Sequence, residues 1–334
     1  MPPIIIRMLW ILAMATIIIA PWLSGLHLLF ELMSHLIIFY WLLFLLLIPI
    51  FLFRQHWPLA AIAAIGLLAN TWHLMPLYLT PVNTETRSTS KPIIDTAFAG
   101  ETANEKTNDS NAITILSVNV QWNNTDYQRL IALINQHQPD IVALQEVDER
   151  WLAHLKALRT SYSYHLEWPE ESNFGIAIYS NLHNSAATLV HFTPTSTPSI
   201  LLHATSPSGQ PFQLINTHPW PPLGIDTMTS RDDQLAAIGH YVHQHSTLPT
   251  IVVGDLNTTP WSATYQDMIK IAKLRNARNS FGMHNSWPSI LPVIGIPIDH
   301  CLVSHHWSVK NFQSMANIGS DHRPIACTLS LHAP

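Results

Sequence analysis

The sequence is poor in charge and in cysteine. Only 11% of its 334 residues are Asp, Glu, Lys or Arg, and the 21 acidic residues outnumber the 16 basic ones. This balance gives no strongly basic surface of the kind that binds long nucleic acids. The two cysteines, Cys301 and Cys327, lie in apolar runs and form no Cys-x-x-Cys pair, so a zinc site is not predicted. They are either buried free thiols or, in an oxidising compartment, a disulfide.

Charge is scarcest in residues 4–79, where runs of Ile, Leu, Phe, Trp and Ala contain only Arg7, Glu31 and Arg54 as charged residues. Three windows are long enough to cross about 30 Å of hydrocarbon at about 1.5 Å per residue. They are residues 4–23, 28–53 and 57–79. A signal peptide is the alternative for the first window. Because the other two windows follow almost at once, and no small-x-small cleavage site follows the first, we predict three transmembrane helices.

The few charges also indicate a topology. Arg7 precedes the first window and Arg54 separates the second from the third, so both lie on the side that the positive-inside rule makes cytoplasmic. Three crossings then put the rest of the chain outside the cytoplasm. Glu31 and His35 are one helical turn apart, and we expect them to pair inside the helical bundle in a structural role.

The composition changes at residue 80. Residues 80–111 are rich in Thr, Ser, Asn, Glu and Lys, which is typical of a flexible linker, and we expect this linker to let the following domain reach away from the bilayer.

Residues 112–334 alternate strand-like apolar runs with amphipathic helical segments. The predicted strands are 113–118, 141–145, 162–167, 175–180, 199–204, 212–217, 250–253, 298–303 and 325–331. The predicted helices are 126–137, capped by Thr125, then 149–158, 229–245 and 261–273. Helices placed singly among strands predict an α/β sandwich of mixed sheets.

The stretch TIVVGDLNTTP, residues 250–260, carries the clearest functional signal. Its first four residues fit a buried strand, and a polar turn follows at Gly254. Asp255 and Asn257 follow one residue apart, so they face the same side if strand geometry persists. An isolated Asp-x-Asn is also an ordinary turn. Similar polar residues adjoin other predicted strands, however: Asn119, Glu146, His218, Asp299, Asp321 and His322.

Loops at the strand ends of a two-sheet sandwich meet at one rim, so we expect these side chains to lie close together. Four carboxylates gathered there would repel one another without a cation, and the set therefore predicts a metal site. Carboxylate and amide oxygens favour a hard ion such as Mg²⁺ or Mn²⁺ over zinc. Phosphate-ester hydrolysis needs such an ion, a base that directs water and a donor for the leaving oxygen.

Six short motifs occur in order along the chain. They are Asn119, Gln145-Glu146, Asn216-Thr217-His218, Gly254-Asp255-Leu256-Asn257, Ile298-Asp299-His300 and Ser320-Asp321-His322-Arg323-Pro324. This order resembles the endonuclease/exonuclease/phosphatase superfamily, which includes DNase I-like nucleases, sphingomyelinases and inositol-polyphosphate phosphatases. The resemblance covers about residues 112–331. It implies a four-layer sandwich of two mixed β-sheets flanked by helices, after the three transmembrane helices.

A further pattern is similar to a membrane-anchored bacterial branch of the superfamily. It consists of THPWPP, with Arg231 and Gln234 downstream, followed by NTTPWS and PIDH. This similarity implies a multi-pass protein of a bacterial inner membrane whose catalytic domain is extracytoplasmic.

The resemblance assigns the metal site to three residues. Glu146 would be the main ligand of Mg²⁺ or Mn²⁺, with Asn119 and Asp321 beside it. The family often has an acid two residues after the first Asn, where this chain has Gln121. That departure weakens the prediction of a second metal position.

The resemblance assigns catalysis to five further residues. His322 would be the catalytic histidine, polarised by Asp299, and Asp255 would orient or deprotonate the attacking water. Asn257 and His218 would hold phosphate oxygens. Each of these residues also has an ordinary explanation as a cap or turn residue, so the prediction depends on the order of the whole set.

Two residues are predicted to contact the substrate. Asn173, before the FGIAIYS run, is the candidate for a donor that the family supplies from the middle of the domain. Arg231 is the second candidate, and pairing with Asp232 or Asp233 is its structural alternative.

The predicted activity is hydrolysis of a phosphodiester or phosphomonoester by in-line attack of water. The substrate class stays open among a lipid headgroup, a nucleotide and a nucleic acid. Besides that substrate, the lipid bilayer is the expected partner, and no protein partner is implied. The alternatives are an endonuclease or exonuclease of the same superfamily and a non-catalytic membrane interaction module that retains the fold.

Overall fold

The computed structural model describes residues 3–79 and 111–332. Residues 3–79 are helical, and residues 111–332 form an α/β unit. The predicted linker, apart from Asn111, lies outside the described residues.

The helical part contains five α-helices. They are α1 (Pro3–Ile19), which continues as a 3-10 helix (Ala20–Leu26), α2 (Leu28–Ser34), α3 (Ile37–Phe53), α4 (Trp57–Leu74) and α5 (Pro76–Leu79). Two helices, Ile4–Leu26 and Trp57–Leu74, are long and apolar enough to cross a membrane. A third span exists if α2 and α3, which meet at a 67° bend, count as one. The second predicted window is therefore a broken helix.

The helices pack closely around an aromatic residue of α3. Phe44 is fully buried, and a Cβ added at Gly66 of α4 would lie 2.5 Å from its ring. Glycine at this position lets α4 approach α3. Buried Met14 of α1 and Leu59 of α4 belong to the same cluster, so the three long helices share one core.

The α/β unit contains twelve strands and five helices among the described residues. They are β1 (Ala112–Asn119), α6 (Tyr127–His137), β2 (Ile141–Gln145), α7 (Glu149–His154), α8 (Leu158–Ser161), β3 (Tyr164–Trp168), β4 (Ile176–Ser180), β5 (His183–Val190), β6 (Ser199–Thr205), β7 (Pro211–Thr217), α9 (Ile225–Gln244), β8 (Thr250–Asp255), α10 (Ala263–Ala272), β9 (Arg275–Asn276), β10 (Asp299–Val303), β11 (Trp307–Ser314) and β12 (Ile325–Leu331).

The strands form two six-stranded mixed sheets. The first has the order β11-β12-β1-β2-β4-β3 and the second the order β5-β6-β7-β8-β10-β9. Each sheet contains one parallel pair at its centre, β1 with β2 and β7 with β8. The facing sides of the sheets share one apolar core, whereas α6 and α7 cover the outside of the first sheet and α9 and α10 that of the second. The predicted four-layer sandwich is confirmed.

Central and edge strands differ in how well the sequence predicts them. The predicted bounds of β2 and β12 match the structure, because both strands are fully buried and read as apolar runs. The strands β5 and β11 are missed, since they lie at the sheet edges and mix polar with apolar residues. The cap prediction at Thr125 is wrong: α6 begins at Tyr127, and Asp126 occupies the N-cap position without a side-chain cap bond.

The α/β unit lies against one end of the helical part. The backbone N–H of Ala263 donates to Oγ of Ser24 at 2.7 Å, and that of Gly282 donates to the carbonyl of Leu77 at 2.9 Å. In this structure the α/β unit is thus docked on the helices rather than extended away from them.

The expected pairing of Glu31 with His35 inside the bundle is only partly correct. The two side chains are 3.7 Å apart, but the Glu31 carboxylate lies closer, at 2.8 Å, to Arg231 of the α/β unit. Both residues lie on the α2 side of the bend, and both side chains contact that unit.

Candidate active site

The candidate site lies where the two sheets end at one rim. Asn119 and Glu146 come at the carboxyl ends of β1 and β2, and His218 and Asp255 at those of β7 and β8. Parallel neighbours end at the same edge, so each central pair contributes two polar residues. Asp299 begins β10 and pairs with Asp255, because β10 runs antiparallel to β8.

A glycine brings the ends of β7 and β8 together. Gly254 has a φ of 133°, and a Cβ at this position would lie 2.0 Å from the carbonyl oxygen of Thr217. Only glycine fits such an approach. As a result Nε2 of His218 lies 3.5 Å from Oδ2 of Asp255, with both side chains buried.

The Asn119 side chain joins carboxylates from the two sheets. Its Nδ2 donates to Oε1 of Glu146 at 2.9 Å and to Oδ2 of Asp255 at 3.2 Å. Glu146 has a φ of 63°, in the left-handed region that non-glycine residues rarely adopt. The backbone N–H of Trp122 donates to its Oε2 at 3.1 Å, which helps to hold this conformation. Backbone strain of this kind is common at functional sites.

His322 lies between two carboxylates. Its Nδ1 is 2.8 Å from Oδ2 of Asp299, and its Nε2 is 3.5 Å from Oδ2 of Asp255. Burial disfavours the charged imidazole, but the two carboxylates outweigh burial and raise the pKa of His322 to about 10. The His322 backbone N–H donates to Oγ of Ser320, which itself donates to the carbonyl of Asn119. This loop is thereby fixed to the end of β1.

His218 and Asp255 reinforce each other's charge. Burial lowers the pKa of His218, but the adjacent Asp255 carboxylate outweighs it, and the net shift is upward. Burial likewise disfavours the Asp255 carboxylate, yet His322 and His218 lower its pKa to about 2. A buried anion between two imidazoles is thus the electrostatic centre of the site.

The other predicted site residues adjoin this centre. Asn257 donates its backbone N–H to Oδ1 of Asp255 at 2.9 Å and its side-chain amide to the carbonyl of Pro219 at 3.0 Å. The backbone N–H of Asp321 donates to Oε1 of Gln121 at 2.9 Å. Gln121, where an acid was expected, therefore anchors the Asp321 loop.

Two predicted substrate contacts differ from the rest. Asn173 precedes Phe174, whose ring packs at 5.6 Å from that of His218, so Asn173 adjoins the site. Arg231 is fully buried and is held by Glu31 and Asp232. Its guanidinium presents no surface to a substrate, and we do not retain it as a substrate-binding residue.

Three contributors were missed by the sequence analysis. Trp287 donates its indole N–H to Oδ2 of Asp321 at 3.2 Å, and Arg278, fully buried, donates to the carbonyl of Asp299 at 2.7 Å. Burial lowers the pKa of Arg278 to about 10. The third is Glu31, whose carboxylate pairs with Arg231. In the sequence, Glu31 stands out only as the one acidic residue of residues 4–79.

The donor set fits a divalent cation. Among the described residues, Asp255, Asp299 and His322 form a buried group with ligand atoms that all lie within 4.8 Å of one another. Glu146 adds a carboxylate that shares the Asn119 amide with Asp255. A site with so many carboxylate oxygens suits a hard ion. This tightest group differs from the predicted trio of Glu146, Asn119 and Asp321, and Oδ2 of Asp321 accepts a hydrogen bond from Trp287.

Fold and site together define a hydrolase of phosphate ester bonds with DNase I-like architecture. The chain belongs to the Endonuclease/Exonuclease/phosphatase family, whose sequence profile matches residues 116–322. A comparison with curated protein sequences found no match.

Solved structures of several relatives have the same fold. An endonuclease/exonuclease/phosphatase from Bacteroides vulgatus is 18% identical with a TM-score of 0.55, covering 66% of this chain and 99% of that one. D. rerio TDP2 in complex with a single-stranded DNA product is 19% identical with a TM-score of 0.54, and the match covers 66% of this chain and 99% of that one. The human Nocturnin catalytic domain with a bound sulfate anion is 21% identical with a TM-score of 0.54, and the match covers 66% of this chain and 94% of that one. At these identities the similarity shows the fold alone.

Proposed function

We propose that the protein is a membrane-anchored, divalent-metal-dependent phosphoesterase that hydrolyses a phosphodiester or phosphomonoester by in-line attack of water. The observation that supports this most directly is the convergence of Glu146, Asp255 and the Asp299–His322 pair on one rim. Such a set can hold a cation, direct a water molecule and stabilise negative charge on phosphate oxygens.

Each residue has a proposed task. Asp255, kept ionised by its two histidine neighbours, orients or deprotonates the attacking water. His322, kept protonated and oriented by Asp299, faces the phosphate oxygens as a cation. His218 and Asn257 hold the remaining phosphate oxygens.

Three residues are proposed to hold the cation. They are Glu146, with Asn119 and Asp321 beside it. Bound Mg²⁺ or Mn²⁺ would neutralise the phosphoryl oxygens. The buried carboxylates of Asp255 and Asp299 are the nearest additional source of ligands, whereas a protonated His322 has no free lone pair for a metal.

Anchoring by the N-terminal helices is supported by their length and by their contacts. The 3-10 helix after α1, helix α5 after α4 and the amino end of α3 contact the α/β unit, whereas Arg7 and Arg54 belong to the opposite ends of the long helices. Three crossings and the positive-inside rule then give an extracytoplasmic catalytic domain. A bacterial inner membrane is the proposed location.

The surface around the site favours a lipid headgroup among the possible substrates. The most exposed large apolar side chains of residues 111–332 are Trp122, Trp168, Leu223, Ile225, Trp287, Ile290, Leu291, Val293 and Ile294. Trp122 and Trp287 contact Glu146 and Asp321 directly. Residues 281–298, which carry five of the nine, contain no Lys or Arg. An apolar rim beside membrane helices suits a substrate with acyl chains better than a polyanion.

The proposal is tested with the full-length protein in lipid nanodiscs. Candidate substrates are phospholipids, p-nitrophenyl phosphomonoesters and phosphodiesters, nucleotides and a single-stranded DNA oligonucleotide, each with EDTA or with Mg²⁺ or Mn²⁺. We expect hydrolysis that EDTA abolishes and added Mg²⁺ or Mn²⁺ restores, fastest with a phospholipid. Hydrolysis that persists in EDTA contradicts the metal requirement. Preferred cleavage of DNA supports the nuclease alternative. If no substrate of the panel is hydrolysed, the result supports the non-catalytic interaction module.

The apolar rim gives a separate prediction. Ile290 and Val293 are 79% and 74% exposed, and a double substitution, Ile290→Ser with Val293→Ser, removes much of the apolar surface that would enter the lipid. Partial burial of two such side chains is worth about 1.4 kcal/mol, so we expect the KM for a bilayer phospholipid to rise about tenfold. The KM for a water-soluble phosphodiester serves as the internal control and should not change. An equal effect on both substrates, or on neither, contradicts a lipid-facing rim.

A further inference from the structure

The helical part contacts the loop that follows β8 through a buried acid. Glu31 of α2 is fully buried, and its Oε1 lies 2.8 Å from Nη1 of Arg231. The hydroxyl of Ser262 donates to both carboxylate oxygens, at 3.1 and 2.9 Å, and that of Thr258 donates to Oε1 at 3.3 Å. Three side chains of the α/β unit thus hold a carboxylate that belongs to the membrane-anchoring part.

From Glu31 a short series of contacts leads to the electrostatic centre of the site. Nη1 of Arg231 also donates to the carbonyl of Asn257 at 3.0 Å. Asn257, with a φ of 51°, donates its backbone N–H to Oδ1 of Asp255 at 2.9 Å. The Glu31–Arg231 ion pair therefore fixes the carbonyl of Asn257. The backbone N–H of Asn257 in turn holds the Asp255 carboxylate.

Charge makes this arrangement depend on Glu31. Arg231 is fully buried, and a buried guanidinium is costly unless it is paired. Its second partner, Asp232, accepts from Nε and Nη2 at 2.8 and 2.7 Å, but that side chain is partly exposed to water. The fully buried Glu31 is the partner on the side of Asn257. Without its charge, Arg231 would be drawn towards Asp232 and away from the Asn257 carbonyl.

Neighbouring contacts extend the same interface. Nδ1 of His35 lies 3.0 Å from the hydroxyl of Thr259. The side chain of Trp261 packs with Ile37 and Leu77 of the helical part in one apolar cluster. Loop 255–262, defined as the segment from Asp255 to Ser262, is thus contacted by the helices along much of its length.

We propose that Glu31 is a positioning residue for loop 255–262, so that the membrane helices belong to the catalytic unit and are more than an anchor. Glu31 acts through Arg231 and Asn257 and does not touch the substrate. This inference rests on the proposed function, in which Asp255 prepares the attacking water.

The kinetic test uses Glu31→Gln and Glu31→Asp in the full-length protein in nanodiscs. Glutamine keeps the shape and removes the charge, whereas aspartate keeps the charge. We expect Glu31→Gln to lower kcat about 10–100-fold, the range found when residues that orient active-site ligands are replaced, with little change in KM. Glu31→Asp should recover part of that loss. Thr71→Val is the matched control, since the hydrogen bonds of Thr71, to Trp41 and to the carbonyl of Leu67, lie within the helices.

A purely structural role would give a different result. It would reduce the yield of folded protein, measured by size-exclusion chromatography and circular dichroism, while kcat per folded molecule stayed at the wild-type value. That result, or equal kcat values for the Gln variant and the wild type, overturns the proposal.

Hydrogen exchange provides a readout that needs no activity. In Glu31→Gln the backbone amides of residues 256–259 and 261–263 should exchange faster than in the wild type, whereas those of β1 and β12 should not change. Unchanged exchange in the loop overturns the inference even if the enzyme hydrolyses its substrate. Faster exchange in a protein that hydrolyses nothing leaves the coupling in place and refutes the proposed function instead.

A disulfide tests whether the docked arrangement is the active one. A Cβ at Gly25 would lie 3.4 Å from the Cβ of Ala263, close to the separation in a disulfide, and the native Cys301 and Cys327 are buried. We expect Gly25→Cys with Ala263→Cys to cross-link on oxidation and to keep kcat within about twofold of its reduced form. Failure to cross-link, or activity that appears only after reduction, overturns the proposal.

Discussion

Replacement of His322 by alanine is expected to lower kcat about 10²–10³-fold, the usual cost of removing one group that stabilises charge in the transition state. The side chain is held by Asp299 at 2.8 Å and faces Asp255 at 3.5 Å, so its loss removes the cation between two buried carboxylates. Alanine also leaves Asp299 without its ion-pair partner. Steady-state kinetics on the best substrate of the panel measures the effect, and circular dichroism checks the fold.

The matched control is His305→Ala. His305 is exposed and lies beyond the end of β10, away from the rim. We expect its kcat to stay within about twofold of the wild type, as is usual for a surface substitution. Full activity in the folded His322→Ala protein would refute the assigned role of this histidine.

Replacement of Glu146 by glutamine is expected to have an effect of comparable size. The change keeps the shape of the side chain and removes the charge that would hold the cation, and it leaves one acceptor oxygen for the two donors, Asn119 and the backbone of Trp122. Loss of one electrostatic contributor of this kind costs about 10²–10³-fold in kcat. Excess Mg²⁺ should restore part of the activity, because the remaining carboxylates still bind the ion weakly.

Titration of Mg²⁺ by calorimetry measures the binding defect without reference to turnover. Glu149→Gln is the control, since Glu149 is an exposed acid three positions along the chain, in the first turn of α7. This variant should bind Mg²⁺ as the wild type does. Wild-type affinity for Mg²⁺ in Glu146→Gln would exclude Glu146 as a metal ligand and would shift the assignment to the carboxylates of Asp255 and Asp299.

The docked helices change the view of the domain organisation. The composition of residues 80–111 predicts a tether, and a tethered enzyme would work equally well without its anchor. The contacts of Ser24, Glu31 and Leu77 with the α/β unit indicate otherwise. A fragment that begins after the predicted linker would expose Arg231 and Trp261, so substrate assays are better made on the full-length protein.

The sequence by itself determined the layer architecture and the set of polar residues at the rim. Central strands such as β2 and β8 are buried on both faces, so they appear as short apolar runs, and the polar residues that end them stand out. Edge strands such as β5 have one exposed face and lack that pattern. The convergence of these polar residues at one rim could be predicted because they directly adjoin strand ends, whereas their roles stay proposals.

Only the tertiary structure decided how those residues pair and which distant groups support them. Asp299 begins β10 of the second sheet and His322 lies in the loop before β12 of the first, and their 2.8 Å contact arises because the two sheets end at the same rim. The position of Glu31 beside Arg231 depends on the bend between two helices and on the docking of two parts of the chain, neither of which has a local signature. Local periodicity reports the burial of a residue within its own element, whereas contacts between remote elements are fixed by packing.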